Sequence, residues 1–214
     1  MLEKNYETAK EFWTTQAKYP AYDHVEARRL CDVKYIAPRI QSARSVVDLG
    51  CGDGKISLIL SNLTKVNKFT LVDYSTAITD IQTLASLTLA KFNFSCIDLS
   101  KKNAPIPASD AVICLGLFPY IFDDEHLSSL IGSLKTSKLI VRTPCTLYET
   151  NDVINTQSKA LGAQYSAVYR TLKNTIAIIE PHFRITEVDR IYPDEIESKF
   201  RTKQFILNCE EPTL

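Results

Sequence analysis

The sequence is poor in the residues that organise metal sites, disulfide frameworks and membrane spans. It holds three histidines and six cysteines in 214 residues. Cys31, Cys51, Cys96, Cys114, Cys145 and Cys209 never form a CxxC pair, and His24, His126 and His182 are far apart. That spacing supplies no zinc ligand set and no disulfide framework, so no metal is expected. Several cysteines sit in apolar runs, where the residue behaves as a small hydrophobe, and a reduced, cytoplasmic setting is the expectation. No run approaches the roughly 18 apolar residues of a membrane span. The opening residues MLEKNY carry charge where a signal peptide has an apolar core, so no secretory leader is expected. Charge of either sign is also not in excess. Twenty-five Lys and Arg balance twenty-five Asp and Glu, which removes the simplest electrostatic case for a nucleic-acid or membrane partner. Only Lys199, Arg201 and Lys203 form a basic cluster. There is no GxSxG elbow, internal repeat or low-complexity tract.

What is present is an ordinary globular composition, 45% hydrophobic and 23% charged, in a length that one α/β domain can use. Residues 1–44 read as helical. Tyr6 to Lys18 spaces Tyr6, Ala9, Phe12, Trp13 and Ala17 like one helix face, Tyr19-Pro20 breaks it, and Asp23 to Ile40 supplies a second helix. From residue 45 the pattern changes to alternating strand and helix. Strands are expected at 45–49, 68–72, 92–97, 111–115 and 138–141. Helices are expected at 55–63, at 75–89 with Ser75 as N-cap, and after Asp123, Asp124 and Glu125. Such alternation predicts a parallel sheet with helices on both faces. Val168 to Glu180 reads as a helix. Strands at 183–188 and 205–208 follow with no crossover helix between them, which predicts an antiparallel hairpin at the sheet edge. The expected fold is therefore a doubly wound, seven-stranded α/β sheet, mostly parallel. One domain spans 1–214, with an N-terminal helical lid (1–44), a core of alternating strand and helix (45–141), an insertion (142–170) and a C-terminal helix and strands (171–214).

Glycine is scarce, with six in the chain, yet Gly50, Gly52 and Gly54 fall within five residues directly after the first strand. Glycine there permits positive φ and close backbone approach to a ligand. Asp73 ends the second strand, 23 residues beyond Gly50, where a carboxylate can accept hydrogen bonds from both ribose hydroxyls. Asp98 ends the third on the same sheet edge and could meet an amine or an adenine edge. A lone glycine turn would be no more than a tight connection, but the turn together with three acidic strand ends points to a nucleotide-type ligand. The spacing is GxGxG, not the GxGxxG of dinucleotide sites, and Asp48 and Asp53 beside it suit a cationic ligand better than pyrophosphate. A nicotinamide dehydrogenase is disfavoured on both grounds.

Val46 to Gly54, VVDLGCGDG, resembles the first motif of the class I S-adenosylmethionine-dependent methyltransferases. Leu71-Val-Asp-Tyr-Ser75, Cys96-Ile-Asp-Leu99 and Asp110 to Gly116 are similar to the family's next three motifs, in order. The resemblance implies a Rossmann-like fold, S-adenosylmethionine as cofactor and S-adenosylhomocysteine as product. It implies that Asp48, Gly50, Cys51, Gly52 and Gly54 border the methionine part, that Asp73 takes the ribose, and that Tyr74 lies on the adenine. Asp98 and Leu99 would take the adenine amine and ring, with Leu115 and Gly116 near the sulfonium. The implied reaction is in-line displacement at the methyl carbon. Family members that methylate nucleobase amines carry a polar residue before Pro-Pro-Tyr after the fourth strand. Here Gly116-Leu-Phe-Pro-Tyr120 keeps Pro119 and Tyr120 but places Leu117 and Phe118 at that point, against amine methylation of DNA.

The acceptor should enter over the carboxyl edge, covered by residues 1–44 and 142–170. Tyr22, Phe118, Tyr120, Arg142, Tyr165, Tyr169 and Arg170 are the candidate acceptor contacts. Tyr165 and Tyr169 would share a helix face, and the arginines suit an anion, although tyrosines that pack and arginines that are solvated account for the same residues. His24 is the candidate general base. A small-molecule acceptor, anionic or sugar-type, methylated on oxygen or nitrogen, is expected. Protein or RNA methylation and a non-catalytic cofactor-binding regulator are the alternatives, and no oligomeric state is indicated.

Overall fold

Strands that are apolar on both faces belong inside a parallel sheet with helices on either side. That is the arrangement of β1 (Ser45–Leu49), β2 (Lys68–Asp73) and β4 (Ala111–Leu115), almost every residue of which is buried. The computed structural model describes residues 2–18, 24–74, 85–86, 88–158, 162–197 and 201–211. With β3 (Lys91–Cys96), β5 (Lys138–Thr146), β8 (Arg184–Asp189) and β9 (Thr202–Glu210), these strands form one seven-stranded sheet. Its order is β3-β2-β1-β4-β5-β9-β8. The first five are parallel, while β9 runs antiparallel to both β5 and β8. The expected sheet and its edge hairpin are both present.

Alternation along the strands divides the core in two. Val47, Leu49, Val112, Cys114, Leu139 and Val141 point to the face covered by α4 (Asp124–Gly132) and α5 (Leu172–Ile179), where Leu127, Ile131 and Ile179 meet them. Val46, Phe69, Leu71, Ile113 and Ile140 point to the other face. There they meet Val33 and Ile36 of α2 (Val25–Arg39) and Leu60 of α3 (Lys55–Leu63). Each such fully buried side chain contributes roughly 1.5–3 kcal/mol. By the same alternation Asp48 and Arg142 face α2 and α3, a placement the site depends on.

Two expectations need correction. The helix expected over 168–180 begins only at Leu172, where the Thr171 side chain caps it by accepting from the Asn174 amide. Tyr165 and Tyr169 instead lie on β7 (Gln164–Tyr169), which pairs antiparallel with β6 (Asp152–Gln157) in a separate two-stranded sheet beyond the seven expected strands. The helix expected at 75–89 lies almost wholly outside the described residues. Both N-terminal helices are present, α1 as Leu2–Lys18, and α1 packs against β7. Among the described residues no helix is long and apolar enough to cross a membrane.

Candidate functional site

The sheet order reverses between β1 and β4. In a doubly wound sheet that switch point opens a crevice at the carboxyl ends of the strands. The glycine turn borders it on one side. Gly50, Gly52 and Gly54 all have left-handed φ, at 69°, 56° and 67°, a region that costs other residues energy. The Gly50 and Cys51 amides both donate to the Val72 carbonyl, at 2.8 and 3.2 Å, tying the turn to the end of β2. A Cβ on Gly50 would press on Leu117 at 3.2 Å, whereas one on Gly52 would meet nothing within 4 Å. The turn is packed from behind and bare in front. Burial pushes the Cys51 thiol well above its ordinary range, which disfavours the thiolate.

The acids divide into supports and candidate ligand contacts. Asp48 lies beneath the turn, 3% exposed, and accepts from Ser57 Oγ of α3 at 2.6 Å. Burial pushes its carboxyl up to about 7; Ser57 opposes the shift, and the charges of Asp73 and Asp53 add to it. Asp73 Oδ2 accepts from the Gly52 amide at 2.9 Å, which sets a carboxylate beside the bare front of the turn. Asp98 is held by the Ser100 amide and hydroxyl, at 3.1 and 2.6 Å, and by Lys10 Nζ at 2.5 Å. Burial works against its ionisation, but these donors outweigh it and leave the carboxyl below the usual range. The Tyr74 hydroxyl donates to the Lys10 carbonyl, so α1 touches both Asp98 and Tyr74, the two positions that the resemblance assigns to adenine. Leu99 is a correction: its side chain is 4% exposed in the α4–α5 core, drawn inward by apolar burial, and does not offer itself to an adenine ring.

Across the crevice, Leu115 ends β4 half-buried and Gly116 follows with φ 88°. The Gly116 amide donates to the Arg142 carbonyl at 2.7 Å. The Arg142 guanidinium folds over Gly116 and would stand 3.3 Å from a Cβ there. Its Nε lies 3.3 Å from Asp32 Oδ1 in α2, and the Tyr192 hydroxyl bridges both Asp32 oxygens at 3.1 and 3.0 Å. Asp32 and Tyr192 carried no sequence signal for this role, because their partner is far away in the chain.

On the acceptor side, Tyr165 and Tyr169 do share a face, by the two-residue period of a strand, and their hydroxyls are 2.7 Å apart. The Tyr120 hydroxyl is 3.1 Å from that of Tyr165. Rings from α1 complete the group: Trp13 meets Tyr120 edge-on with centroids 5.0 Å apart, and Phe12 meets Tyr165 at 4.8 Å. Phe12 and Trp13 were legible only as a helix face. Two candidates are displaced from this group. Phe118 is 3% exposed and belongs to the core. Arg170, 2% exposed, pairs with Asp124 at 2.6 Å and donates to the Phe118 and Ile121 carbonyls at 2.8 and 2.7 Å. Its charge and donors hold the turn after β4 in place and leave nothing for an anion. His24 is exposed at the start of α2 with φ 60°. Tyr22 lies outside the described residues, as do Tyr19 and Lys199.

These residues fit the cofactor that the motifs imply. The front of Gly52 is open to a ligand, the Asp73 carboxylate that the motifs imply for the ribose lies beside it, and Arg142 retains N–H groups beside Gly116. Residues 46–136 match the family model described as a methyltransferase domain. No curated protein matches the chain significantly. Among solved structures, the chain is similar to a protein described as an S-adenosylmethionine-dependent methyltransferase from Listeria monocytogenes. That match has 15% identity and TM-score 0.68 and covers 88% of this chain and all of that one. A second such methyltransferase, from Clostridium acetobutylicum, is 14% identical with TM-score 0.63 over 90% and 96% of the two chains. The N-methyltransferase NodS of Bradyrhizobium japonicum, solved with S-adenosyl-L-homocysteine, is 11% identical with TM-score 0.60 over 92% and 91%.

Proposed function

We propose an acceptor class for this chain, which belongs to the class I S-adenosylmethionine-dependent methyltransferases: a small molecule with a flat face, sugar-type or aromatic, methylated on oxygen or nitrogen. The observation that carries the proposal is the half-buried group of Trp13, Tyr120, Tyr165 and Tyr169 at the carboxyl edge, framed by α1 and β7. Aromatic faces stack on planar rings and on the apolar faces of sugars, and the linked tyrosine hydroxyls can exchange hydrogen bonds with an acceptor's polar rim. A positively charged anion receptor is not part of this wall, because Arg170 is committed to Asp124 and to backbone carbonyls. The anionic acceptor is accordingly set aside.

When bound, the cofactor supplies a methyl carbon on a sulfonium, a leaving group that needs no protonation. The chain's share of the work is positioning. The glycine turn would border the methionine part and Asp73 would take the ribose, Gly116 leaves the end of β4 free of a side chain, and α1 with the tyrosines would hold the acceptor and exclude water.

The test is transfer of isotopically labelled methyl groups to a cell extract separated into small molecules, protein and RNA. Label in the small-molecule fraction, reduced at least about tenfold by Tyr165→Ala with S-adenosylhomocysteine affinity retained, is the expected result. Label confined to protein or RNA would overturn the proposal.

A further inference from the structure

Among the described residues, Arg142 is a largely buried cation of the crevice with few partners. Its side chain is 17% exposed. Its Nε is buried without a hydrogen-bond partner, and among the described residues its guanidinium makes one long hydrogen bond, NH1 to Gln204 Oε1 at 3.3 Å. The Asp32 contact at 3.3 Å balances charge without hydrogen-bond geometry. A guanidinium carries five donors in a rigid fork, and leaving them unmet in a buried place is costly. Its neighbours do not share this state. Arg29 pairs with Glu26 and Asp53, Lys55 reaches Asp53, and Arg28 donates twice to the Ile196 carbonyl.

The location is as specific as the deficit. Strand alternation turns Arg142 to the α2 face, and the missing Cβ of Gly116 lets the guanidinium lie over the end of β4. The next residue, Leu117, packs on Gly50, the first glycine of the turn. The fork therefore stands one residue contact away from the glycine turn. The tyrosine wall adjoins Arg170 and Asp124 at the start of α4, which covers the opposite face, and of its members Tyr120 also lies within electrostatic reach of Arg142. Around the turn itself stand Asp48, Asp53 and Asp73, so a ligand carboxylate there needs a cation close by. Asp32 and Tyr192 hold that cation in position.

We propose that Arg142 binds the α-carboxylate of the cofactor's methionine part, through donors left over from its pairing with Asp32, and does not bind the acceptor. This rests on the cofactor reading above. Asp32 and Tyr192 are positioning residues that aim the fork.

Calorimetric titration tests it with two ligands: S-adenosylhomocysteine and 5′-deoxy-5′-(3-aminopropylthio)adenosine, the same molecule without its carboxylate. Two variants are used, Arg142→Gln and the charge-balanced double variant Asp32→Asn with Arg142→Gln, since the single change strands a buried Asp32. In either folded variant, S-adenosylhomocysteine should bind at least about tenfold more weakly, with the decarboxylated ligand within about twofold of wild type. Equal weakening of both ligands, or no weakening of S-adenosylhomocysteine, would overturn the assignment while wild-type binding leaves the cofactor reading intact. A wild-type chain that binds neither ligand would overturn both.

Discussion

Lys10 Nζ stands 2.5 Å from Asp98 Oδ2, so the first helix already holds the carboxylate that the family resemblance assigns to the adenine amine. The lysine and aspartate side chains are 32% and 23% exposed, so the pair belongs with solvent-screened bridges of about 0.2–1 kcal/mol. Within the proposed site an entering adenine competes with Lys10. Lys10→Ala should therefore tighten S-adenosylhomocysteine by a factor of about 2 to 5, and more so at low salt. Weaker binding in calorimetry would instead make Lys10 part of the cofactor's own site.

Asp73 has a different position, since its partner is the Gly52 amide of the turn itself. Replacement by alanine removes both the turn's brace and the proposed ribose acceptor. S-adenosylhomocysteine should bind at least about tenfold more weakly. Unchanged affinity of Asp73→Ala would contradict the assigned site.

Asp48 makes a prediction about pH. Burial raises its carboxyl to about 7 in the folded chain, above the ordinary unfolded value near 3.8. The folded state then binds more protons than the unfolded state between those values. The stability Asp48 contributes is present below about pH 4 and is lost as pH rises through about 7. Asp48→Asn keeps an acceptor for Ser57 and removes the titration. Melting curves should show wild type losing stability relative to this variant between about pH 4 and 7. A constant difference across that window would show that Asp48 does not titrate in this way.

Arg170 is expected to matter for folding and not for the ligand. Arg170→Met leaves the Phe118 and Ile121 carbonyls without their donor. The cost should be about 3 kcal/mol, a fall in Tm of roughly 6–12 °C for a chain of this size. S-adenosylhomocysteine affinity of the folded variant should stay within about twofold of wild type. A variant that folds as well as wild type but loses methyl transfer would restore Arg170 to the acceptor site.

The sheet and the glycine turn were legible in the sequence because their causes are local. Runs such as Val46-Val47 and Val112-Ile113-Cys114 are apolar at every step, as strands buried on both faces require, and glycines that adopt positive φ signal themselves by type. The strand-end acids were legible for the same reason. Tyr165 and Tyr169 were grouped correctly on one face but placed on the wrong element. Residues four apart share a face in a helix and in a strand, and pairing with the distant β6 decided between them. In sequence Arg142 follows an expected strand and Arg170 falls in an expected helix, yet both read alike as arginines that suit an anion. Tertiary structure separated them, giving one carbonyl and carboxylate partners and the other a carboxylate, one long bond to Gln204 and spare donors. Lys10 with Asp98, and Asp32 with Arg142 and Tyr192, are contacts between residues far apart in the chain. Nothing in the residues themselves selects such partners; packing of α1 and α2 over the sheet edge does.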